Sequence, residues 1–333
     1  MRAWLLWLLP CSVALTCPCA CGGTNTSSGF ADAGGGSGSG SGGSNSGSSG
    51  GGSGSSSGTL LGGDDGGSSS GGNGGSGCSG AATNFVYVLS AENKLYSFAP
   101  NLKQFTLIGT LGCQTTMQPN SMAVDRNADA YVNYFSADGT QGAIYKVSTQ
   151  DASCGSSPAV NLPQGWFQIG MGYSSIGTST SEALYVDGIG AQGGNNGSGL
   201  GLVDFGIGTV GPIGPFTGQF AGVAAELTGT GDGRLFAFFT TTPVYVAQVD
   251  KTNGGTMNPV PMTGVQTPQD WAFSFWGGHF YLYTSQGMLG TGGSDVTDYD
   301  PTSGTINTTY MTKVGFDIVG AGVSTCAPTV APQ

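Results

Sequence analysis

The sequence has little charge, very few basic residues and no long apolar run beyond its first residues. Only 8% of its 333 residues are charged, and 19 acidic residues face 8 basic ones. The resulting formal net charge of −11 would repel a phosphate backbone or an anionic membrane surface. We therefore expect no nucleic-acid partner.

The sequence also contains a single histidine, His279, which excludes a histidine-based metal cluster. A Ser-His-Asp triad would have to use this residue, and no GxSxG elbow supplies the serine. The pattern WGGHFYLY instead places His279 in a hairpin. We expect no metal and no cofactor.

Glycine is abundant, with 64 residues, but it does not recur at every third position as in collagen. The composition is equally far from that of a coiled coil, which is rich in Ala, Glu, Lys and Leu. The glycines therefore need another explanation, and it differs between residues 22–80 and residues 81–326.

Residues 1–21, MRAWLLWLLPCSVALTCPCAC, have the form of a secretory signal peptide. The apolar run is too short and too cysteine-rich for a stable membrane span. The cysteines followed by GG resemble the cleavage region of bacterial lipoproteins, which implies a lipid on Cys21 (alternatively Cys17) as the only membrane contact. Ordinary cleavage and release of a secreted protein is the alternative. In both cases the chain is exported.

Residues 22–80 hold 26 glycines and 18 serines, with almost nothing to bury. They predict a disordered linker with an end-to-end distance of roughly 40 Å. From Asn84 onward, short alternating apolar strands separated by Gly, Asp, Asn and Pro predict an all-β domain over residues 81–326, followed by a tail at 327–333.

A strand with a central aromatic residue recurs every 44 to 54 residues, and a second strand follows each copy. Upstream of four of these pairs lies a strand of small residues, and a fifth such strand, DIVGAGV (Asp317 to Val323), ends the domain. We predict a β-propeller of five four-stranded blades in which the C-terminal strand completes the first blade. The central aromatic residues are Tyr87, Tyr131, Tyr185, Phe236 and Tyr281.

The stretch SMAVDRNADAYVNYFSADGTQGAIYKVS, from Ser121 to Ser148, resembles the repeat of NHL-type and gluconolactonase-like propellers. The match covers one blade well, and the other four share its apolar skeleton. The resemblance implies the propeller architecture. Gluconolactonase-like enzymes also hold a divalent cation with Glu, Asn and Asp in the central channel.

Four cysteines remain in the domain, an even number in an exported protein, where disulfides persist. A propeller closed by its last strand brings Cys78 and Cys326 together, which leaves Cys113 to pair with Cys154. Simple strand phasing puts the latter two on opposite faces, so one loop must fold over the rim of its blade.

Two sets of residues are candidates for function. Asp125, Glu226 and Asp270 lie on or beside inner strands, and would act as base, acid and pKa modulator if the chain were a propeller hydrolase of glycans or lactones. A binding surface would instead use aromatic residues in the loops between blades. These residues are Trp166, Phe167, Phe216, Phe220 and Trp271, with Asp270 beside the last.

The sequence favours the second set, because the three carboxylates are also explained as turn formers and strand-end caps. The expected protein is a monomeric binding or scaffolding module, without catalysis, whose partner is a protein or glycan at the cell surface. A hydrolase is the first alternative. A surface-coat protein without a specific ligand is the second.

Overall fold

The computed structural model describes residues 78, 85–177, 180–190, 197–287 and 292–332. The expected signal peptide and nearly all of the expected linker lie outside these residues. Within them the chain forms twenty β-strands and two single-turn 3₁₀ helices, Pro100–Leu102 and Gly218–Phe220. Neither helix in this part of the chain approaches the length and apolar character that a membrane crossing requires.

The strands are named in chain order. They are β1 (Val86–Ser90), β2 (Lys94–Ala99), β3 (Gln104–Thr110), β4 (Gln118–Val124), β5 (Asp129–Phe135), β6 (Gly142–Ser148), β7 (Val160–Asn161), β8 (Ile169–Ser175), β9 (Glu182–Gly188), β10 (Gly199–Asp204), β11 (Thr209–Gly214), β12 (Ala225–Gly229), β13 (Leu235–Phe239), β14 (Tyr245–Val249), β15 (Thr256–Pro261), β16 (Asp270–Trp276), β17 (His279–Ser285), β18 (Asp295–Asp300), β19 (Thr305–Met311) and β20 (Ile318–Val323).

These strands form five antiparallel sheets of four strands each, which are the five blades of a β-propeller. Blades II to V are consecutive in sequence: β4 to β7, β8 to β11, β12 to β15 and β16 to β19. Blade I has the order β20-β1-β2-β3, so the last strand of the chain is the innermost strand of the first blade. The predicted fold class, blade number and closure are confirmed.

The closing strand is paired along nearly its whole length. Val86 of β1 lies opposite Val323 of β20, and Leu89 lies opposite Gly320. This pairing satisfies the backbone groups that an unpaired inner edge of blade I would expose, and an unpaired edge is a site of aggregation.

The five inner strands, β4, β8, β12, β16 and β20, run parallel to one another around the channel. Gly170 of β8 lies against Ala225 of β12, and Gly172 lies against Leu227, so the two strands advance in the same direction. We call the face where the inner strands begin the front face, and the face where they end the rear face. The loops that connect successive blades lie at the front.

The protein has five apolar cores, one between each pair of neighbouring blades. Leu89 of blade I packs with Met122 of blade II, for example, and Phe238 of blade IV lies against Phe273 of blade V with ring centroids 5.9 Å apart. Each large side chain buried in this way contributes roughly 1.5–3 kcal/mol. The ring as a whole is thus held together by contacts between blades.

Many acidic side chains form the hairpins between third and fourth strands at the rear face. Asp204, Asp250 and Asp300 each accept a hydrogen bond from the backbone N–H two residues further on, at 2.8 Å in all three hairpins. These are Asx turns, in which an aspartate closes the turn that its own backbone begins. Part of the net negative charge therefore has a structural cause.

Both predicted disulfides are confirmed. Cys78 is bonded to Cys326, 248 residues away, and Cys113 to Cys154, 41 residues away. Cys154 reaches Cys113 because the segment after β6 turns back along that strand, where Cys154 forms a β-bridge with Val147. Cys154 thus lies on the outer edge of blade II.

Candidate functional site

The central channel is narrow because its inner strands pack directly against each other. A Cβ atom added to Gly170 would lie 2.0 Å from the carbonyl oxygen of Ala225, and one added to Gly229 would lie 1.9 Å from that of Tyr173. Strands of blades that are not neighbours also come close, since Cα atoms of β12 and β20 approach within 8 Å. The channel therefore has little room for a ligand.

Glu226 crosses this channel from blade IV to blade II. Its Oε1 accepts hydrogen bonds from the hydroxyl of Ser121 in blade II and from the backbone N–H of Met171 in blade III, the latter at 3.2 Å. The side chain is buried, and burial raises its pKa well above the usual range for Glu, while the Ser121 hydrogen bond acts in the opposite direction. Glu226 is thus a bridge between three blades.

Asp187 is a second buried carboxyl near Glu226, and the sequence analysis missed it. Its Oδ2 accepts the backbone N–H of Ala225 at 2.7 Å, and its Oδ1 has no hydrogen-bond partner in the described part of the chain. Burial raises the pKa of Asp187 well above its usual range. The available signal was an acidic residue inside the otherwise apolar strand ALYVDG.

Asp125 lies at the opposite face of the propeller from Asp270. It follows the last residue of β4, at the rear face, and its Oδ1 accepts the backbone N–H groups of Asn127 and Asp129, both at 2.9 Å. Burial raises its pKa. In this position Asp125 closes the turn between β4 and β5.

Asp270 is the first residue of β16 and lies at the front. Its Oδ2 accepts a hydrogen bond from the Ser285 hydroxyl at 3.3 Å, and burial together with the nearby charge of Asp317 raises its pKa. Because a seven-residue strand spans roughly 20 Å, Asp125 and Asp270 are separated by the depth of the propeller. The structure does not bring Asp125, Glu226 and Asp270 together as a catalytic set.

Three of the predicted aromatic residues are buried between strands and loops. Phe220 stacks on Phe239 with centroids 4.2 Å apart, and Phe216 meets the same ring edge-on at 4.9 Å. Trp166 fills the space above Gly201, where an added Cβ would lie 2.5 Å from its ring. Trp166, Phe216 and Phe220 therefore support the interblade packing.

Phe167 and Trp271 remain half-buried at the front face, as does Asp270. The indole Nε1 of Trp271 has no hydrogen-bond partner in the described residues. These three side chains are the part of the predicted binding set that a ligand could reach. They lie where blades II and III and blades IV and V connect.

The polar side chains around the front of blades II and III are hydrogen-bonded to one another. Asn120 donates to the carbonyl of Ile169 at 2.8 Å and accepts from Gln168 at 2.9 Å, and Asn133 donates to the carbonyl of Phe167 at 3.2 Å. This network ties blade II to blade III. Its amide groups are already used within the protein.

The donor set at the channel does not fit the divalent cation held by gluconolactonase-like enzymes. Oε1 of Glu226 and the amides of Asn120 and Gln168 are engaged in protein hydrogen bonds. Across the described residues, no three His, Cys, Asp or Glu side chains are grouped closely enough to hold a metal.

The rear mouth of the channel is covered by the segment Ser324 to Thr329, which we call the strap. The Ser324 hydroxyl donates to the carbonyl of Arg126 in blade II at 3.3 Å, and Thr325 donates to Glu182 in blade III at 2.6 Å. Further along, the carbonyl of Pro328 accepts the backbone N–H of Gly277 in blade V at 2.8 Å.

Blade IV also contacts the strap. An added Cβ at Gly231 would lie 2.4 Å from the carbonyl oxygen of Ala327. The strap leaves blade I and so contacts each of the other four blades in turn. A ligand that approaches along the axis can therefore do so only from the front.

A shallow surface depression of about 550 Å³ lies at the rim between blades I and II, beside the Cys113–Cys154 disulfide. It is open to solvent and away from the channel. Its lining consists of Cys113, Gln114, Thr115, Thr116, Met117 and Gln141, none of which carries a charge. It offers no grouping of reactive side chains.

Together the fold and the site define a five-bladed β-propeller with a narrow channel that is covered at the rear. No family model matches the sequence, and no curated protein matches it. Comparison of structures finds a protein of unknown function from Bacteroides caccae, 12% identical, with 72% of this chain and 98% of that chain covered and a TM-score of 0.38.

Two further solved structures are similar to this chain. A regucalcin described as a calcium-binding protein, from Agrobacterium tumefaciens, is 15% identical over 67% of this chain and 69% of its own, with a TM-score of 0.37. Dihydro-heme d1 dehydrogenase NirN, in complex with DHE, is 10% identical over 68% of this chain and 44% of its own, with a TM-score of 0.32. Similarities this low assign no ligand or activity.

Proposed function

We propose that this chain is an exported binding module without catalytic activity, in which the propeller presents its front face to a partner. The observation that carries the proposal is the filled channel. Glycines allow the inner strands to touch, and Glu226 spans the remaining space with its Oε1 already hydrogen-bonded. A substrate would find neither space nor a pair of free carboxylates there.

The front face is the binding face in this proposal because the rear mouth is covered by the strap. Trp271, Asp270 and Phe167 are half-buried there, so each keeps some accessible surface. Tryptophan provides contact area at a low entropic cost, for proteins as for sugars. A partner that contacts Trp271 would also displace water from around its indole ring.

The partner is a protein or glycan at the cell surface with a neutral or polar binding surface. The domain contains only seven Lys and Arg residues, and the net charge of −11 of the chain disfavours polyanions as partners. The protein acts as a monomer, held to the membrane through a lipid on its N-terminal cysteine. The Gly/Ser-rich segment of residues 22–80 joins this anchor to the propeller.

Binding to a panel of purified cell-surface polysaccharides and envelope proteins tests the proposed face. Trp271→Ala is expected to weaken binding of any ligand by at least about tenfold, a typical effect for an aromatic residue at the centre of an interface. Ile207→Ala is the matched control, because Ile207 is 76% exposed at the rear face. Equal losses in the two variants, or loss in the control alone, would reject the front face.

The anchoring is tested by labelling cells with a fatty acid. The wild-type chain and Cys17→Ala are expected to incorporate the label, and Cys21→Ala is expected to lose it. Label retained in Cys21→Ala but lost in Cys17→Ala would assign the lipid to Cys17. An unlabelled wild-type chain in the culture medium would show that the protein is secreted without an anchor.

A further inference from the structure

The two disulfides have different electrostatic surroundings. At the rear mouth, Nη1 of Arg126 lies 3.3 Å from the sulfur of Cys78 and 3.6 Å from the sulfur of Cys326. The guanidinium is thus positioned over both atoms of one disulfide. Its Nη2 donates to the Ser175 hydroxyl at 3.4 Å, which holds the group in place.

The charge of Arg126 is not neutralised by a direct ion pair. Among the residues that the structure describes, none of its nitrogens lies within 4.0 Å of a carboxylate oxygen. Glu182 lies beside Arg126, and its two oxygens accept hydrogen bonds from the backbone N–H of Arg126 and from the hydroxyl of Thr325. Burial raises the pKa of Glu182, and the charge of Arg126 acts in the opposite direction.

The second disulfide is a natural comparison. All four cysteines are half-buried, so exposure does not distinguish the two bonds. Cys154 is held by its β-bridge with Val147. Within the described ranges, Arg126 donates hydrogen bonds to the sulfurs of Cys78 and Cys326, and no cationic side chain donates one to Cys113 or Cys154. The two disulfides therefore differ in the charge beside their sulfurs, as well as in the length of the loop that each closes.

We infer that Cys78–Cys326 is a thiol–disulfide exchange site, reduced selectively by a dithiol while Cys113–Cys154 stays intact. A nearby cation stabilises thiolates and lowers thiol pKa, which favours the reduced form of a disulfide. It also stabilises the thiolate that leaves when the bond is attacked. Arg126 is the positioning residue for both effects.

The exchange is a two-electron reaction. A thiolate of the external dithiol attacks one sulfur of the pair, the Cys78–Cys326 bond breaks, and the other sulfur leaves as a thiolate beside Arg126. The second thiol of the reductant then attacks the mixed disulfide. The dithiol is oxidised to its own disulfide, and Cys78 and Cys326 take up the two protons it has lost.

Reduction at this site would remove the covalent link between the two ends of the propeller. The strap and β20 would then be held only by hydrogen bonds and packing. The reduced protein is expected to unfold at a lower temperature, because the bond closes a loop of 248 residues.

The experiment is a titration of the full exported chain with mixtures of reduced and oxidised dithiothreitol, followed by alkylation and mass spectrometry of the four cysteines. We expect Cys78 and Cys326 to become alkylated at a reduced-to-oxidised ratio at least about tenfold lower than Cys113 and Cys154, a difference of about 30 mV. In the wild-type chain, simultaneous reduction of the two disulfides, or earlier reduction of Cys113–Cys154, would be sufficient to overturn the inference.

Arg126→Gln and Arg126→Lys test the role of the charge. The glutamine variant is expected to narrow the gap between the two disulfides to about threefold or less, and the lysine variant to keep more of it, since only lysine retains a positive charge. An unchanged gap in Arg126→Gln would show that the charge is not the cause. Equal gaps between the two disulfides in Arg126→Gln and Arg126→Lys would also show that the charge is not the cause.

Discussion

Glu226 shows how a single residue can serve the ring rather than a reaction. The position of this acidic residue on an inner strand suggested a general acid. In the structure its Oε1 instead accepts hydrogen bonds from Ser121 and Met171, and so links three blades. Burial raises its pKa, so the neutral form is favoured in the folded protein. A raised pKa can suit a carboxyl for proton transfer in catalysis. In Glu226 the raised pKa accompanies burial inside a narrow channel.

This pKa shift predicts a pH-dependent stability. The folded protein keeps a proton on Glu226 that the unfolded chain has released, in the pH range between the unfolded and the folded pKa. The contribution of Glu226 to stability is therefore present at acid pH and is lost as the pH rises through the folded pKa. Glu226→Gln, which is neutral at every pH, is expected to lose less stability than the wild type as the pH rises from 4 to 8.

Urea unfolding at pH 4, 6 and 8 measures this difference in pH dependence. The control is Asp250→Asn, because hydrogen bonds from Thr252 lower the pKa of Asp250 and its contribution to stability grows with pH. The two variants should therefore shift in opposite directions. A Glu226→Gln variant that loses stability equally at all three pH values would contradict the account.

Lys251 is a second residue whose charge serves the fold. Its ammonium donates to the Ser174 hydroxyl at 3.1 Å and to the carbonyls of Ser175 and Gly233, both at 2.6 Å. The group uses all three of its donors to join a hairpin of blade IV to one of blade III. Burial lowers the pKa of this lysine.

Lys251→Met is expected to lower the free energy of unfolding by about 2 kcal/mol, because two carbonyl groups lose a charged donor in a partly buried place. Lys146→Met is the control. Lys146 forms an exposed ion pair with Asp129 at 2.7 Å, and such pairs contribute about 0–1 kcal/mol. The free energy of unfolding of both variants is measured by urea unfolding. Equal losses in Lys251→Met and Lys146→Met would show that the hydrogen bonds of Lys251 do not stabilise the contact between blades III and IV.

At the scale of the strand, the sequence pattern predicted the inner, second and third strands of each blade but gave no positions for the outer ones. The outer strands β3, β11, β15 and β19 are exposed along much of their length, so they lack the alternation of apolar and polar residues that marks a half-buried strand. Prolines stand in two of them, Pro212 in β11 and Pro259 in β15. Such residues are tolerated at a sheet edge and hide the strand from sequence patterns.

The inner strands were predicted from their small residues, and the structure gives the physical reason. Gly170 and Gly172 of β8, like Gly320 and Gly322 of β20, lie where an added Cβ would come within 3.0 Å of the backbone or a side chain of the next inner strand. The glycines of these inner strands thus reflect close approach between blades. The function of these strands is to close the channel.

Gly170→Ala is expected to destabilise the protein by about 3 kcal/mol or more, because its Cβ would overlap the carbonyl of Ala225 and overpacking of this kind moves the backbone. Gly112→Ala is the matched control, since no atom lies within 4 Å of its added Cβ. Thermal unfolding of the two variants, followed by circular dichroism, gives the comparison. A Gly170→Ala protein as stable as the control would mean that the inner strands are not in contact.

At the scale of the whole molecule, the repeat spacing and the unpaired fifth copy of the inner strand were sufficient to predict the ring and its closure. Cys78 and Cys326 could be paired only after that closure had been recognised. The strap could not be predicted, because residues 324–329 carry no periodic pattern and are held by backbone groups and turns of four different blades. The burial of Trp166, Phe216 and Phe220 also depends on neighbours distant in the sequence.

Deletion of residues 317–333 is expected to prevent folding, because it removes β20 and exposes the inner edge of blade I. Deletion of residues 330–333 is the control, since Val330 is 72% exposed. A Cys78→Ser, Cys326→Ser chain separates the strand from the disulfide, and it should fold as a monomer of lower thermal stability. A soluble, cooperatively folded 317–333 deletion would show that closure is not required.

The central claim is that the front face binds and that the channel and rear face do not. Hydrogen–deuterium exchange of the full exported chain, with and without a ligand identified by the binding panel, tests this most directly. The account predicts slower exchange in the front loops between blades, at residues 163–168 and 266–271, with no change in the rear hairpins at 205–208 and 251–255. Protection in the rear hairpins alone would contradict it.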